Sequence, residues 1–67
     1  MSRLPALKPA QIVAALGRAN FVIVRIVGSH YQLFNEQTGR HTTVPHRTLI
    51  AIIHQAGLTR DEFLNLL

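Results

Sequence analysis

Apolar positions along residues 8–20 recur at the spacing of an amphipathic helix. When the segment is wound at 3.6 residues per turn, its apolar side chains gather on one side, away from Lys8 and Arg18. Pro9 suits the first turn of a helix, and Asn20 can adopt the left-handed conformation that ends one. The sequence therefore predicts a first helix whose apolar side is formed by Ile12, Val13, Leu16 and Ala19.

The next segment, FVIVRIV at residues 21–27, has the composition of a β-strand without the alternation of a half-buried one. Valine and isoleucine dominate it, and β-branched side chains favour extended structure. Both faces of a regularly pleated strand would be largely apolar, so we expect both faces to need cover. Such a pleat would place Phe21, Ile23, Arg25 and Val27 on one face and Val22, Val24 and Ile26 on the other.

Two further strands follow, each after a short turn. Gly28 and Ser29 predict a tight turn, after which HYQLFN at residues 30–35 alternates in polarity. EQTG at residues 36–39 predicts a second turn, and the third strand ends at Pro45. Three strands joined by two tight connections form an antiparallel meander.

The remainder of the chain has helical periodicity. Gly57 lies where the C-terminal cap of a helix over residues 48–57 belongs. Thr59 and Glu62 have the spacing of a capping box, which predicts a short last helix. The apolar side of the longer helix is formed by Leu49, Ile52, Ile53 and Ala56.

This order of elements predicts a single α+β domain over residues 1–67, an α-β-β-β-α arrangement with a short extra C-terminal helix. Each main helix has one apolar side, so we expect both helices on one face of a three-stranded antiparallel sheet. The other face is then open. Because residues 21–27 are apolar on both sides, that open face or its edge is the predicted surface for a partner.

Composition narrows the class of protein. The 67 residues are 48% apolar, which argues against disorder and leaves apolar side chains for a partner to cover. Seven Lys and Arg against three Asp and Glu give a net charge of +4, which suits an anionic partner such as nucleic acid. The lack of cysteine suits a cytoplasmic protein without disulfides, and no signal peptide or membrane span is expected.

His30 is the candidate for chemistry, since it follows Gly28 and Ser29 directly and opens the second strand. A neutral imidazole can take a proton as a general base near neutral pH. On the residues alone, the alternative is an ordinary polar histidine on the surface of a strand.

A set of short motifs occurs in order along the chain. They are Arg25, then GSH at 28–30, TGR at 38–40, TVP at 43–45 with His46 after it, TLIAII at 48–53, and QAGLTRDEFLNLL at 55–67. From about Ile12 to Leu67 the chain resembles the HicA toxins, also called YcfA-like proteins, which are small ribonucleases of bacterial and archaeal toxin–antitoxin pairs. The resemblance implies a fold like that of double-stranded-RNA-binding domains, cleavage of mRNA through His30, and a HicB antitoxin that covers the site.

The sequence departs from the family pattern in two places. Family members carry a further loop before the TL helix, often with Lys and Pro-Gly, whereas residues 44–53 run almost directly into the helix. Ile26 and Val27 are apolar where members tend to be polar. Two alternatives therefore stay open: an RNA-binding module without catalysis, and a protein-interaction domain in which the histidine is incidental. Either a homo-oligomer or a toxin–antitoxin hetero-oligomer is compatible with the sequence.

Several residues are predicted to support RNA binding. Arg25 is the candidate to stabilise charge on the phosphate, while Gly28 would let a phosphate approach the backbone and Ser29 could donate to it. The basic residues Lys8, Arg18, Arg40 and Arg47 could contact the RNA backbone. For each of these the alternative is an ordinary turn residue or surface charge.

No general acid is identified, and His41 and His46 are the two candidates for that role. The histidines lack the HxH, HxxH or HExxH spacing of metal ligands, so neither a metal nor another cofactor is predicted.

Overall fold

The computed structural model describes residues 4–46 and 48–67. The element order confirms the predicted α+β fold, with helices on a three-stranded antiparallel sheet in the order β1-β2-β3. Arg47, predicted to contact RNA, lies outside the described residues. The elements are α1 at Pro9–Arg18, β1 at Val22–Val27, β2 at His30–Phe34, β3 at His41–Val44, α2 at Leu49–Ala56 and α3 at Arg60–Leu64.

The first helix ends where the sequence predicts, because Asn20 takes the left-handed conformation with φ of 72°. The amide of Asn20 donates to the carbonyl of Gly17, and the amide of Phe21 donates to that of Leu16. These two bonds form a Schellman motif, which satisfies carbonyls that the end of the helix would otherwise leave unpaired. The motif also turns the chain so that Phe21 enters the core.

The C-terminal helices are capped by local side chains and by glycine. Thr48 accepts a hydrogen bond from the amide of Ala51 at the start of α2, and Gly57 ends that helix with φ of 73°. The predicted capping box of α3 is confirmed, since Thr59 and Glu62 each accept a bond from the other's amide. These caps explain why two short helices form so close together.

The hydrophobic core lies between the helices and the part of the sheet nearest β3. Both α1 and α2 pack on β3, and Leu33 of β2 and Val44 of β3 are almost fully buried beneath them. Ala15 is fully buried although it lies outside the predicted apolar side of α1. The core consists of Ile12, Ala15, Leu16, Phe21, Leu33, Val44, Ile52, Ile53, Ala56 and Phe63.

Strand β1 lies at one edge of the sheet, with β3 at the other, and is more exposed within the chain than its composition predicts. The apolar composition of the strand predicted cover on both faces, yet all six of its residues are exposed. The reason is that the helices pack over β3 and leave β1 outside the helical layer. The exposed fractions are 54% for Val22, 45% for Ile23, 59% for Val24, 57% for Ile26 and 46% for Val27.

The predicted distribution of β1 side chains between the two faces is also wrong. A β-bulge lies between Ile23, which pairs with Leu33, and Arg25, which pairs with Gln32. The extra residue, Val24, breaks the alternation that a regular pleat would give. As directly paired residues share a face, Ile23 and Ile26 face the helical side, and Val22, Arg25 and Val27 face the opposite side.

Candidate nucleic-acid interface

A tight hairpin corner holds His30 at the beginning of β2. Val27 and His30 are paired directly, so Gly28 and Ser29 form a two-residue loop between the strands. Gly28 has φ of 60°, a conformation that hairpin loops of this length require and that side chains disfavour. Gly28 and Ser29 thus act here as the turn that sets where His30 lies.

Arg25 lies on the same face of the sheet as His30. It pairs with Gln32, which is two residues along β2 from His30 and therefore on the same side of the strand. Diagonal neighbours of this kind in an antiparallel sheet lie about 7–8 Å apart, within reach of an arginine side chain. Both side chains are exposed. The structure thus brings together an accessible imidazole and an accessible guanidinium.

The face that carries these two residues is the one turned away from the helices. Leu33, Thr42 and Val44 are buried beneath the helices, so the residues that alternate with them point outward. None of the chain's three acidic residues lies in a strand, since Glu36 is in the turn after β2 and the other two are in α3. We call this surface the open sheet face; its members are Val22, Arg25, Val27, His30, Gln32, Phe34, His41 and Thr43.

The other described residues of the predicted phosphate-binding set lie away from the open sheet face. Lys8 precedes α1 and donates its amide to Oε1 of Gln11. The side chain of Arg40 packs against Gly57, in the space that a Cβ there would fill. Its cation thereby lies at the C-terminal end of α2, where the helix dipole favours positive charge.

Arg18, a further predicted phosphate contact, is engaged within the fold. Its Nη1 donates a 2.8 Å hydrogen bond to the carbonyl of Leu66. This bond joins the end of α1 to the C-terminal residues of the chain. Its guanidinium therefore has a structural partner.

The two candidate general acids are not brought beside His30. His41 pairs with Phe34, four residues along β2, so it is on the open sheet face about 13 Å away along the strand. His46 lies on the helical side, with its Nε2 3.4 Å from the amide nitrogen of Gln55. The buried hydroxyl of Thr42 donates to Oε1 of that same glutamine at 2.8 Å. Sequence reasoning missed this network because no local pattern connects its three members.

Within residues 4–46 and 48–67, no three His, Cys, Asp or Glu side chains are grouped as metal ligands. No helix in the same ranges is long and apolar enough to cross a bilayer.

Comparison with models of known protein families identifies the family of this chain. The family model described as the HicA toxin of bacterial toxin-antitoxin systems matches residues 9–58, which is most of the chain. This chain belongs to the HicA toxin family. Comparisons with curated proteins and with solved structures found no significant match.

The matched range includes the hairpin corner of this HicA toxin. It extends from the first residue of α1 to Leu58, just after α2, and so includes Arg25, His30 and the whole sheet. Only residues 45–48 connect β3 to α2 in this HicA toxin, and the Val44–Pro45 peptide bond is cis. Membership of the family assigns the protein to a toxin–antitoxin pair, and hence to a partner antitoxin.

Proposed function

We propose that this HicA toxin is an endoribonuclease that cleaves mRNA in the cytoplasm, with His30 as the general base and without a metal ion. The observation that carries the proposal is the position of His30, exposed at a tight corner with Arg25 on the same face. An RNA strand crossing the open sheet face would meet both groups.

The reaction would proceed through the substrate's own 2′-hydroxyl. The imidazole of His30 takes the proton from that hydroxyl, and the oxygen attacks the adjacent phosphorus. The bond from phosphorus to the 5′-oxygen breaks, giving a 2′,3′-cyclic phosphate and a 5′-hydroxyl that takes a proton from water. Positioned acid–base catalysis contributes roughly 10²- to 10⁴-fold to such a step.

Arg25 would stabilise the charge that develops on the phosphate. A guanidinium presents planar, fixed N–H donors that match phosphate oxygens. Gly28 and Ser29 would contribute at the corner itself, where the small loop lets a phosphate come close to backbone amides. The affinity for RNA should fall with a shallow slope as salt is raised, because Arg25 is the only Lys or Arg in the three described strands.

The test compares cleavage of an unstructured RNA, in the presence of EDTA, by the wild type and by His30→Ala. The expected result is cleavage by the wild type and a loss of at least 100-fold in the variant, with unchanged circular dichroism. His54→Ala is the matched control, because His54 is an exposed histidine on α2 outside the proposed site. Equal cleavage by His30→Ala would contradict the proposal. Binding without cleavage by the folded wild type would favour a non-catalytic RNA-binding module instead.

The exposed edge strand favours a protein partner as well. β1 presents five large aliphatic side chains and an unpaired backbone edge, which is the feature that strand addition uses. A HicB-like antitoxin that adds a strand there would bury this surface and stand directly beside Arg25 and His30. The net charge of +4 suits an acidic antitoxin.

A charge placed on β1 tests this docking mode. Ile26→Lys should weaken binding of the co-expressed antitoxin by tenfold or more, as measured by calorimetry, because a lysine resists strand addition and apolar burial. Ile50→Lys is the matched control, since Ile50 is exposed to 50% on α2, compared with 57% for Ile26. Equal weakening by both variants would contradict docking on β1.

A further inference from the structure

The open sheet face contains a recess at the end of the sheet away from the hairpin corner. Its volume is about 250 Å³, and its lining includes Val24, Gln32, Phe34, His41 and Thr43. Ligand pockets that enclose whole drug-sized molecules are usually larger than about 300 Å³. This recess therefore has the size for one flat ring system.

Two rings lie side by side in the recess. Phe34 and His41 pair directly across β2 and β3, so their side chains emerge next to each other on the open sheet face. Phe34 is half-buried and His41 is exposed. Sheet faces that carry exposed rings are used to stack the unpaired bases of single-stranded RNA.

A second cross-strand pair adds polar groups beside the rings. Gln32 pairs with Thr43, and both are half-buried on the same face. Within the described part of the chain, neither side chain takes part in a hydrogen bond. The amide of Gln32 and the hydroxyl of Thr43 are thus available to the edge of a base, which offers both donors and acceptors.

The floor of the recess is held in place from the helical side. Asn35, next to Phe34, is buried and donates from its Nδ2 to the carbonyl of Ala19 at 3.1 Å. Thr42, next to His41, is buried and bonded to Gln55 of α2. Because both ring-bearing strands are anchored, the recess is preorganised, which lowers the cost of binding a ligand there.

The recess is in line with the proposed catalytic corner. Gln32 lies between His30 and Phe34 on β2, and Arg25 pairs with Gln32 from β1. The distance from His30 to Phe34 is about 13 Å along the strand. A strand of RNA whose scissile phosphate is at His30 would therefore pass Arg25 and reach the recess with a neighbouring nucleotide.

We propose that this recess is a binding site for one unpaired nucleobase of the RNA substrate, which stacks on Phe34 and His41 and is read at its edge by Gln32 and Thr43. The inference rests on the proposed function for the identity of the ligand as RNA. It adds to that function a base-reading position separate from the catalytic residues. RNA is favoured over a protein segment because the strands carry arginine and histidine and no carboxylate.

The test measures binding of 2′-O-methyl RNA, which lacks the attacking hydroxyl and cannot be cut by the proposed reaction. Fluorescence anisotropy compares the wild type with Phe34→Leu, which keeps the apolar volume, and with Phe34→Tyr, which keeps the ring. We expect Phe34→Leu to weaken binding by about tenfold and Phe34→Tyr to have little effect, given the usual contribution of a stacked base. Val22→Ala is the control, because Val22 pairs with Phe34 on the same face but does not line the recess.

A second arm locates the base. An abasic site is moved through each position of a short 2′-O-methyl RNA, and one position should weaken binding to the wild type by the same factor as Phe34→Leu. When the abasic site at that position is combined with Phe34→Leu, the loss of affinity should be no larger than the loss from either change alone, because both remove the same stacking contact. If the abasic site and Phe34→Leu weaken binding additively at every position, the proposal is overturned. So would a Phe34→Leu variant that binds RNA normally but loses its antitoxin, because the recess would then be a protein-docking surface.

The two proposals fail in distinguishable ways. If the wild type binds RNA with the coupled loss but leaves unmodified RNA uncut, the base site stands and the nuclease assignment is wrong. If His30-dependent cleavage occurs without coupling between Phe34 and any base, the nuclease assignment stands and the base site is wrong. If the folded wild type does not bind RNA at all, both are wrong.

Discussion

Arg25 and His30 lie on one face of the sheet and on neighbouring strands, although five positions separate them in sequence and a turn lies between them. The two-residue loop sets this relationship, because it pairs Val27 with His30 and hence Arg25 with Gln32. Both side chains are exposed on a face turned away from the helices. An imidazole and a guanidinium placed together in this way are suited to activating a hydroxyl beside a phosphate.

Removal of the Arg25 guanidinium should slow cleavage more than it weakens RNA binding. We expect Arg25→Ala to lower kcat by roughly 10- to 100-fold, because a donor to the transition-state phosphate is lost at an exposed site. Single-turnover kinetics on a defined RNA would measure this. Arg60→Ala is the matched control, since it removes the same charge from α3. An equal effect of both variants would mean that only net charge matters.

Replacement of Gly28 should disturb the corner that holds His30. A side chain at φ of 60° is strained, so Gly28→Ala should lower the free energy of unfolding by about 1–2 kcal/mol. Gly39→Ala provides a matched comparison, because Gly39 has φ of 74° in the other hairpin and open space around it, as Gly28 has. Denaturant titration should show similar losses for both variants. Only Gly28→Ala should also reduce cleavage, and a reduction by Gly39→Ala of the same size would contradict the role given to the corner.

The bond between Thr42 and Gln55 should contribute to stability. Gln55→Leu leaves the buried Thr42 hydroxyl without its acceptor, which should cost about 1 kcal/mol. Adding Thr42→Val removes the unsatisfied hydroxyl and should restore part of the loss. Thermal unfolding of the wild type, both single variants and the double variant forms a double-mutant cycle. Additive losses would show that the two side chains do not interact.

Gly57 should tolerate alanine poorly because of its backbone conformation. Its φ of 73° disfavours a side chain, so Gly57→Ala should lower the free energy of unfolding by about 1–2 kcal/mol. An added Cβ would also meet the distal atoms of the Arg40 side chain, which is exposed and free to move aside at little cost. The loss should therefore be similar in an Arg40→Ala background, as urea titration of the four proteins would measure. A loss that shrinks in that background would show that Arg40 is held rigidly against Gly57.

Local signals in the sequence were sufficient to predict the elements and their order. Each helix end is marked by a hydrogen bond between residues close together in the sequence, at Asn20, at Gly57 and between Thr59 and Glu62. A local sequence pattern is therefore enough to predict these caps. The turn at Gly28 and Ser29 is equally local, and from it the pairing of Arg25 with the second strand could be anticipated.

The features that the sequence did not reveal depend on contacts between distant segments. The bulge at Val24 depends on how β1 pairs with β2, which the sequence of β1 alone does not specify. Because of the bulge, Ile23 lies on the face opposite to Arg25 and not on the same face as predicted. The exposure of β1 depends on where the helices pack, which their own periodicity does not specify. Arg40 was predicted to contact RNA because it is basic, whereas its packing against Gly57 depends on the meeting of a turn and a helix end.

The most direct test of the central claim is the chemistry of the RNA ends that the purified toxin produces. Mass spectrometry of the products of a short RNA should show a 2′,3′-cyclic phosphate and a 5′-hydroxyl at the cut. Those products should be absent with His30→Ala and with a substrate that carries a single 2′-O-methyl group at the cut. Products ending in a 5′-phosphate, or cutting that persists when the 2′-hydroxyl is blocked, would contradict His30 as the base that activates that hydroxyl.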